Sequence, residues 1–394
     1  MTPPPSALVS GAGPTGCVAA LALAACGWRV HLYDPAPAQS LGQRARAYAL
    51  THSTRRLMQS LGLWEGLLPQ LQPFQRLVMS DRTAGAADVL FTAADAPVGW
   101  ILDHRPLMEL LLQRCRSAPG VHLHLGEPDP PTRSVGLRVH CEGGRSPARS
   151  DLGIGFVGWD YRQGCLTCQV QLEGAAPATA WEVFRPEGPL AVLPLGEGRA
   201  QVVWSGPLEA CRQRQALAEA PFLEALGAAL PAGLRPSRVL EPAASFPVAC
   251  RLAGRLARGR ALLCGESAHR CHPVGGQGLN LCWRDVAVLW QEAAAVAAGE
   301  RSLHRLPRRY ARRRWADALL TLVATDLLIR LFSNRWLPLL LVRRLILRTL
   351  SLAAPLRILA LAAASQGLVP LGLLPGGIDK GPSRGEQSRL FRRA

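Results

Sequence analysis

Acidic residues are scarce in this chain of 394 residues, which has 28 Asp and Glu against 45 Lys and Arg. A second C-x-x-C pair is also missing: Cys165 and Cys168 form the only one, and they lie in a predicted strand. A metal site is therefore not predicted, and the eleven scattered cysteines favour reduced, structural thiols. No secretory signal precedes the first predicted strand, which favours a cytosolic compartment.

The sequence lacks a long, uninterrupted apolar helix. Its longest uncharged stretch, 358–378, contains Pro370, Pro375 and four glycines, so it would span a bilayer only as a kinked segment. Recognised nucleic-acid motifs are missing too, and the arginines stand among aliphatic residues, so nucleic acid is not an expected partner. The chain of 394 residues is longer than one core usually holds, so two interleaved domains are expected.

Basic charge is concentrated at the C-terminal end. Residues 301–394 hold 18 Lys and Arg against 4 Asp and Glu, so they carry +14 of the formal net charge of +17. Leucine-rich runs there are interrupted at near-helical spacing by Arg335, Arg343, Arg344, Arg348 and Arg357. This pattern favours a helix attached to an anionic membrane surface. A helix that packs on the core with its arginines toward solvent, and a true span, stay open.

A glycine motif, Gly-x-Gly-x-x-Gly, lies near the N-terminus between a predicted strand over 6–10 and a helix of small residues. Gly13 would admit a pyrophosphate group, while Gly16 would let the helix and the strand pack closely. A second strand over 29–33 ends in an acidic residue that is placed to accept from a ribose hydroxyl. We predict that an ADP-containing cofactor is bound by Gly11, Gly13, Pro14, Gly16 and Asp34.

A second glycine-rich loop, 272–278, lies between a predicted strand over 261–264 and a helical pattern that resumes at Leu279 and continues through Leu289. Its three glycines and one proline let the backbone pass against a flat or anionic ligand without obstruction by a Cβ atom. Free N–H groups at the start of a helix would stabilise a group that gains negative charge.

The chain resembles the class A flavoprotein aromatic hydroxylases, whose second FAD motif reads roughly G-D-A-A-H-x-x-H-P-x-x-G-Q-G-x-N-x-x-x-x-D. Ten residues between 265 and 285 match this pattern: Gly265, Ala268, His269, His272, Pro273, Gly276, Gln277, Gly278, Asn280 and Asp285. Within this family the chain is most similar to the ubiquinone-biosynthesis branch of polyprenyl-phenol hydroxylases. Weaker likenesses to the same family occur at 46–50, 61–64, 142–149, 160–163 and 184–189. The likeness covers most of residues 5–340.

The resemblance implies an α/β fold: a Rossmann-like, glutathione-reductase-like FAD/NAD(P)-binding domain interleaved with a β-sheet substrate domain, then a helical C-terminal segment. It implies FAD as cofactor and NAD(P)H as co-substrate. Further FAD-binding residues would be Arg46, Arg105, Glu142, Gly265, Glu266, Pro273, Gly275, Gly276, Gly278, Leu279 and Asn280. The predicted catalytic set is His272, Pro273, Gly276 and Gln277.

Some of these roles have open alternatives. Arg105, at the start of a predicted helix, could equally be a solvated or capping residue. For His269 and His272 a structural hydrogen-bonding role is favoured over acid–base chemistry. Glu266 and Glu142 stand where the family has aspartate, so each carboxylate has an arm one methylene longer. The stretch between Arg105 and Glu142 is also short for the family and is interrupted by 127–131.

The implied function is an FAD-dependent NAD(P)H monooxygenase that uses O2 to hydroxylate an aromatic, prenylated quinone precursor. The cofactor would carry the oxygen chemistry, while backbone N–H groups of 276–279 would stabilise negative charge on the flavin. A reductase or dehydrogenase, a non-catalytic FAD-binding membrane scaffold, and a small soluble aromatic substrate stay open. A cytoplasmic location, peripheral to the inner face of a membrane, and a place in a quinone-biosynthesis complex are further expectations.

Domain boundaries follow from these motifs. The FAD-binding domain is predicted over 1–154 and 256–300, the substrate-domain sheet over 155–255, and a basic, apolar helical segment over 301–394. Within them we predict a strand at 99–102, a helix at 106–116, strands at 166–172, 190–193 and 200–204, and one helical region at 209–230.

Overall fold

The computed structural model describes residues 4–83, 88–93, 96–128, 135–367, 369, 371–372 and 374–375. Several predicted features fall partly outside these residues: Pro370 and 376–378 of the uncharged stretch, 129–131 of the interruption, and the basic tail over 376–394.

The secondary structure alternates between strands and helices along most of the chain. The strands are β1 (Ser6–Ser10), β2 (Arg29–Asp34), β3 (Ala47–Leu50), β4 (Gln72–Phe74), β5 (Arg76–Asp81), β6 (Val89–Thr92), β7 (Gly99–Asp103), β8 (Val121–Leu125), β9 (Leu137–His140), β10 (Phe156–Glu173), β11 (Thr179–Phe184), β12 (Leu190–Gly196), β13 (Arg199–Pro207), β14 (Arg235–Ala253), β15 (Ala257–Arg258), β16 (Ala261–Leu263) and β17 (His269–Arg270). The α-helices are α1 (Pro14–Ala24), α2 (Ala38–Leu41), α3 (His52–Ser60), α4 (Trp64–Leu67), α5 (His104–Ser117), α6 (Pro147–Asp151), α7 (Leu208–Gln215), α8 (Glu219–Ala229), α9 (Gln277–Ala297), α10 (Leu306–Phe332), α11 (Leu337–Leu352) and α12 (Ala354–Gln366).

A mostly parallel sheet carries both glycine loops. Its six strands lie in the order β15-β16-β9-β1-β2-β8, and only β15 and β16 pair in antiparallel fashion. Helices α1 and α9 pack beside each other, and both contribute to the same large apolar core. Because β1, β9 and β16 run in parallel, the segments that follow their carboxyl ends meet at one edge, which is where open α/β sheets bind ligands.

A second, eight-stranded sheet lies in the order β17-β14-β10-β13-β12-β11-β5-β6, and it is antiparallel except where β11 pairs with β5. Successive side chains along its strands point to opposite faces of the sheet. Leu166, Val183 and Val192 belong to the face that packs beneath α7 and α8, whereas their neighbours in sequence point the other way. This second face is turned toward the FAD-binding part of the chain, because Gln169 donates to the Asp103 carboxylate (3.2 Å).

The eight-stranded sheet includes strands from outside residues 155–255, the range predicted for the substrate-domain sheet. Strands β5 and β6 come from the region predicted as FAD-binding, and β17 lies between the second glycine loop and β16. The chain therefore crosses between the two sheets more often than the sequence indicated. A small antiparallel sheet, β3-β7-β4, stands beside them. The domain boundaries stay a prediction, with 76–92 better placed in the substrate part.

The single helical region predicted over 209–230 is wrong, because it is divided into α7 and α8. Pro221 lies near the start of α8, and a proline ring clashes with the carbonyl group four residues earlier, here Leu217. A continuous helix through both positions is therefore excluded. The strands predicted at 166–172, 190–193 and 200–204 are confirmed as parts of β10, β12 and β13.

Residues 303–366 of the C-terminal segment are largely helical, as predicted, and expose many apolar side chains. Leu337 is 74% exposed, Leu345 66% and Leu352 76%. By length and composition, no single helix in the described ranges could cross a membrane; α11 and α12 pass only as a pair bent by 102°.

One of the arginines predicted to face the surface lies inside instead. Arg343 is fully buried: it donates to the carbonyl groups of Leu331 and Asn334, and its Nη1 lies 3.5 Å from the Asp81 carboxylate. Arg357 is half-buried and donates to the last turn of α11. Arg335, Arg344 and Arg348 are exposed, as the pattern indicated.

Candidate functional site

The first glycine loop follows β1 and forms a close turn against the neighbouring segments. Gly11 has φ +96°, and an ideal Cβ atom there would lie 2.6 Å from the Cys141 carbonyl oxygen. A Cβ atom on Gly16 would lie 1.7 Å from the Gly11 carbonyl oxygen, so only glycine lets α1 approach β1 this closely. Gly13 differs: a Cβ atom there would meet no described atom within 4 Å. The backbone at Gly13 therefore faces open space, as a pyrophosphate site requires.

Asp34, at the end of β2, holds this turn together. One carboxylate oxygen accepts from the Ala12 N–H (2.7 Å) and the other from the Ala36 N–H (2.8 Å). A carboxylate oxygen has a second lone pair, so these bonds leave capacity for a hydroxyl donor. The predicted contact with a ribose hydroxyl stays a prediction, and the structure adds a second role for Asp34.

Glu142, which follows β9, turns back onto its own motif. Its carboxylate accepts from the Ser146 hydroxyl and from the Ala148 N–H (3.2 Å), and the His140 Nδ1 atom lies 3.5 Å away. Burial raises the pKa of Glu142, but His140 and Ser146 lower it by more, and the net pKa is below its ordinary value. The longer glutamate arm thus stabilises the start of α6, and direct contact with FAD stays a prediction.

The segment from β16 to α9 starts beside the first glycine loop and ends in the second one. Gly265, with φ +72°, lies against Thr15 of α1: a Cβ atom would be 2.9 Å from its methyl carbon. Glu266 beside it is exposed. Gly275 and Gly276 have φ of +68° and +63°, a left-handed conformation that favours glycine. Helix α9 then begins at Gln277, two residues before the predicted start, so its first N–H groups face this loop.

Asn280 locks the start of α9 in place. Its side-chain oxygen accepts from the Thr51 N–H (3.1 Å) and from the Thr54 hydroxyl (2.7 Å). Its amide nitrogen donates to the carbonyl groups of Ala49 (2.7 Å) and Gly276 (2.8 Å). The side chain is therefore used by the protein itself. Asn280 positions the loop, and the backbone of Leu279 beside it is better placed to meet a cofactor.

His272 is fully buried and stays neutral, because burial lowers its pKa to about 3. Its Nδ1 atom accepts from the Val274 N–H (3.1 Å), which leaves Nε2 as the N–H donor. Among the described residues Nε2 has no hydrogen-bond partner. The imidazole can donate a hydrogen bond to a ligand, but it does not titrate near neutral pH.

His269 belongs to a buried charge network under the loop. Its Nε2 atom contacts the Asp285 carboxylate (2.8 Å), which also accepts from the Gly265 N–H (2.7 Å) and the Arg314 guanidinium (2.6 Å). Arg314 and Arg284 both pair with Asp317. Burial raises the pKa of Asp285, but His269 and Arg314 lower it by more, so the carboxyl group stays ionised. His269 is thus structural, as was favoured.

Arg46 and Arg105 lie at the same edge of the small sheet, since the His104 N–H donates to the Arg46 carbonyl group (2.8 Å). The Arg46 guanidinium lies 5.7 Å from the centre of the Phe246 ring, and Arg105 is exposed in the first turn of α5. Helix α5 begins two residues earlier than predicted, because the Asp103 carboxylate caps it.

Pro273 and Gln277 border the loop on its outer side. Pro273 is half-buried, and Gln277 donates to the carbonyl groups of Gly275 (3.1 Å) and Ala364 (3.3 Å). Gln277 thus links the loop to α12 of the C-terminal segment. The Cys165 and Cys168 side chains lie on opposite faces of β10, so they could not bind one metal ion together.

Sequence reasoning missed one residue at this site, Glu182 of β11. Its carboxyl group is buried, which raises its pKa, while the nearby Gly275 N–H lowers it. A single acidic residue in the otherwise apolar strand TAWEVF was the available signal. The signal was weak, because only the tertiary structure places this strand against the glycine loop.

The site fits FAD. The open space at Gly13 lies beside the N-terminus of α1, which suits a pyrophosphate. The unpartnered donor on His272 and the open approach to Gly275 and Gly278 suit a flat, polar ring system at the second loop. Both loops meet along one edge, so a single extended dinucleotide could contact both.

Comparisons with known proteins agree. A family model described as FAD binding domain matches residues 136–321. The ubiquinone hydroxylase UbiL of Rhodospirillum rubrum is 31% identical, over 95% of this chain and 92% of its own length. The 3-demethoxyubiquinol 3-hydroxylase of Escherichia coli is 29% identical, over 87% of this chain and 93% of its own. A crystal structure of p-nitrophenol 4-monooxygenase from Pseudomonas putida has a TM-score of 0.72, covers 94% of this chain and 100% of that one, and is 17% identical.

The fold and the paired glycine loops define a flavoprotein with a Rossmann-like FAD-binding domain and a separate substrate sheet, and this predicted fold class is confirmed. The chain belongs to the FAD-dependent monooxygenases, in the family of the ubiquinone-pathway hydroxylases. The predicted enzyme class, its FAD cofactor and its NAD(P)H co-substrate are thereby confirmed. The reductase and scaffold alternatives lose their support.

Proposed function

We propose that this enzyme hydroxylates a prenylated phenol or quinol precursor of a quinone, which it takes from the cytoplasmic face of a membrane. Two relatives are named for ubiquinone-pathway hydroxylation. Quinone precursors carry long isoprenoid chains and reside in the bilayer, so the enzyme must reach them there. A working association with other enzymes of the same pathway belongs to this proposal.

The observation that carries the proposal is the link between the glycine loop and the exposed apolar helices. Gln277 donates to α12, and Val274 packs in one cluster with Phe332 of α10 and Leu347 of α11. The outer side of these helices exposes leucines among the exposed arginines of α11. Such a surface favours contact with anionic lipid. A substrate leaving the bilayer would thus meet the protein beside its loop.

The predicted site residues divide between binding and positioning in this proposal. Gly11, Gly13 and Gly16 would hold the pyrophosphate of FAD, and Glu266 a hydroxyl group of its sugar-like chain. Bound FAD, once reduced by NAD(P)H, supplies activated oxygen. N–H groups at the start of α9 would stabilise negative charge on the ring system. Pro273 and the neutral His272 would shape the space around it.

The first experiment is a visible spectrum of the purified full chain, recorded before and after anaerobic addition of NADPH, then NADH. A flavin spectrum that bleaches supports a reducible FAD. Oxygen is then admitted with a prenylated phenol of short side chain, and the product is analysed by mass spectrometry with isotopically labelled O2. Incorporation of one labelled oxygen atom supports the proposal.

Two results would contradict it. Reduction of the flavin by NAD(P)H with release of hydrogen peroxide alone, for every prenylated phenol tried, would indicate a different substrate. Equal turnover of an unprenylated, water-soluble phenol in the absence of vesicles would overturn the membrane-derived substrate. Because some flavoproteins are reduced only when substrate is bound, the reduction is repeated with each phenol present.

A further inference from the structure

Glu182 faces the glycine loop from the middle of the eight-stranded sheet, and its side chain is only 9% exposed. Trp181 and Val183 pack on the face beneath α7 and α8, so Glu182 points to the opposite face, toward the FAD-binding part of the chain. Ala180 before it and Phe184 after it lie in two separate apolar clusters, of which the second contains Val274 of the loop. The carboxyl group thus lies between two apolar clusters.

A strip of small side chains extends from Glu182 along the same face. Glu182 pairs with Ala191 of β12, Ala191 with Val203 of β13, and Val203 with Thr167 of β10. Directly paired residues of neighbouring strands lie on one face of a sheet. Ala191, Val203 and Thr167 are only half-buried, although they lie in the interior of the sheet. The strip is therefore open enough on this face for a flat ring to lie against it, with Glu182 at one end.

The surroundings of Glu182 favour the uncharged acid. Burial raises its pKa to about 7, although the nearby Gly275 N–H lowers it. The titratable or charged groups on the neighbouring elements are Arg76 and Asp81 on β5, Cys165 on β10, His272 on the loop, Arg343 on α11 and Arg357 on α12. Arg76 contacts Thr179, Asp81 pairs with Arg343, and His272 is neutral. None of the ion pairs in the described part of the chain includes Glu182.

We propose that Glu182 is a catalytic acid–base residue that accepts the hydroxyl proton of the phenol while the ring lies over the strip. In this step the phenol O–H bond breaks, the proton passes to a carboxylate oxygen, and the electron pair stays on the phenolate oxygen. No oxidant or reductant is consumed. The phenolate ring is richer in electrons and accepts an oxygen atom more readily. A base whose affinity for protons matches the working pH serves this role best.

This inference rests on the proposed function, and the test separates the two. Glu182→Gln, Glu182→Asp and the wild-type holoenzyme are compared with a short-chain prenylated phenol between about pH 6 and pH 9, the range around a group poised near neutrality. Hydroxylated product and NAD(P)H consumption are both measured, together with FAD content. The control is Glu173→Gln, the same change at an exposed position at the end of β10.

The glutamine variant is expected to keep its FAD and its flavin reduction, yet to form product about 100-fold more slowly, in line with the loss of one acid–base group. The rise of product formation with pH near neutrality should disappear. The aspartate variant should recover part of the rate with a shifted pH profile. A role confined to folding would lower FAD content and leave the pH profile unchanged.

Three results would overturn the inference. The first is unchanged product formation in Glu182→Gln, and the second an unchanged pH profile in both variants. If the glutamine variant loses FAD, the aspartate variant decides, and an unshifted profile there counts against Glu182. The third is a wild-type enzyme that is reduced by NAD(P)H but forms no product from any phenol, which overturns the proposed function as well.

Discussion

Three carboxyl groups along the candidate FAD site are held in two different ways. Asp34 and Glu142 accept backbone N–H groups of their own loops, whereas Glu266 is exposed beside the second loop. Asp34 and Glu142 use hydrogen bonds to hold the backbone of the site in place, whereas the carboxylate of Glu266 remains able to bind a ligand. Glu142 and Glu266, which stand where the family pattern has aspartate, therefore differ in role, since only Glu266 is exposed.

Replacing Gly13 with alanine should weaken FAD binding without destabilising the protein. The added Cβ atom meets no described atom of the protein within 4 Å, so it enters only the space predicted for the pyrophosphate. We expect FAD affinity to fall by about 10-fold to 100-fold, the cost of one steric overlap, in a fluorescence titration of the apoprotein.

The matched control for this substitution is Gly42→Ala, another glycine whose Cβ atom would meet open space. It should leave both FAD affinity and the melting temperature unchanged. Unaltered FAD affinity in the Gly13 variant would refute the position assigned to the pyrophosphate.

Glu182 should make the stability of the protein depend on pH. Its folded-state pKa, about 7, lies above the ordinary value, so its stabilising contribution is complete in acid and is lost as the pH rises through about 7. At pH 8, Glu182→Gln should therefore have a larger free energy of unfolding than wild type, by on the order of 1 to 3 kcal/mol. Its melting temperature should be higher accordingly. At pH 5 the gain should be smaller. Thermal melts at both values check this, and a constant difference would contradict it.

At the scale of elements, α9 is the part of the fold on which the site depends. Asn280 ties its start to the segment after β3, and Asp285 ties its third turn to Gly265 after β16 and to Arg314 of α10. Both side chains are buried, so the helix cannot shift without breaking hydrogen bonds in a region that excludes water. The position of the loop is thus set by two polar anchors on one helix.

Asp285→Asn should destabilise the protein by about 3 to 5 kcal/mol, because it leaves the buried Arg314 and Arg284 with only one carboxylate, Asp317. Urea unfolding followed by circular dichroism measures the loss.

The depressed pKa of Asp285 also means that its contribution to stability is present at neutral pH and is lost as the pH falls toward that pKa.

The control is Asp160→Asn, which removes the carboxylate of an exposed pair with Arg251. Exposed pairs contribute about 0 to 1 kcal/mol, so little change is expected. Equal effects of the two substitutions would contradict the importance of the buried network.

For the whole molecule, the C-terminal segment joins the second glycine loop to a surface that is unusual for a protein in water. Its outer leucines are largely exposed, while Arg343 anchors α11 to β5 through Asp81. Exposed apolar surface of this extent marks an interaction site. The buried Arg343 shows that the segment is part of the folded core on one side.

The double substitution Leu345→Glu and Leu352→Glu should weaken binding to anionic vesicles by at least about 10-fold, because two apolar side chains are lost from the contact and two negative charges are added. Co-sedimentation with vesicles of phosphatidylglycerol and phosphatidylcholine gives the measurement. FAD content should not change, since both side chains lie on the outside.

The control is Leu68→Glu with Leu217→Glu, two exposed leucines outside the C-terminal segment. It makes the same change of charge elsewhere on the surface. Equal loss of vesicle binding in both double variants would show that net charge, and not this surface, determines attachment. Deletion of 331–394 is a poorer test, because it removes the buried Phe332, Leu347 and Arg343.

The sequence by itself determined the two glycine loops, the strands before them and the family. These features follow from local rules: glycine where the backbone is left-handed or crowded, and apolar runs where a strand is buried on both faces. Gly11 and Gly16 were identified for a tight turn and close packing, and their close contacts agree; Gly275 was identified for the approach of a ligand, which stays a prediction.

Only the tertiary structure decided which polar side chains are held by other groups of the protein. Asn280 and Glu142 were predicted to bind FAD, which stays a prediction, and the structure adds their hydrogen bonds to groups of the protein. Arg343 was expected at the surface and is buried, and Glu182 was not expected at all. Each outcome depends on contacts between residues far apart in the chain, and the burial of a polar group is decided by such partners and not by local sequence.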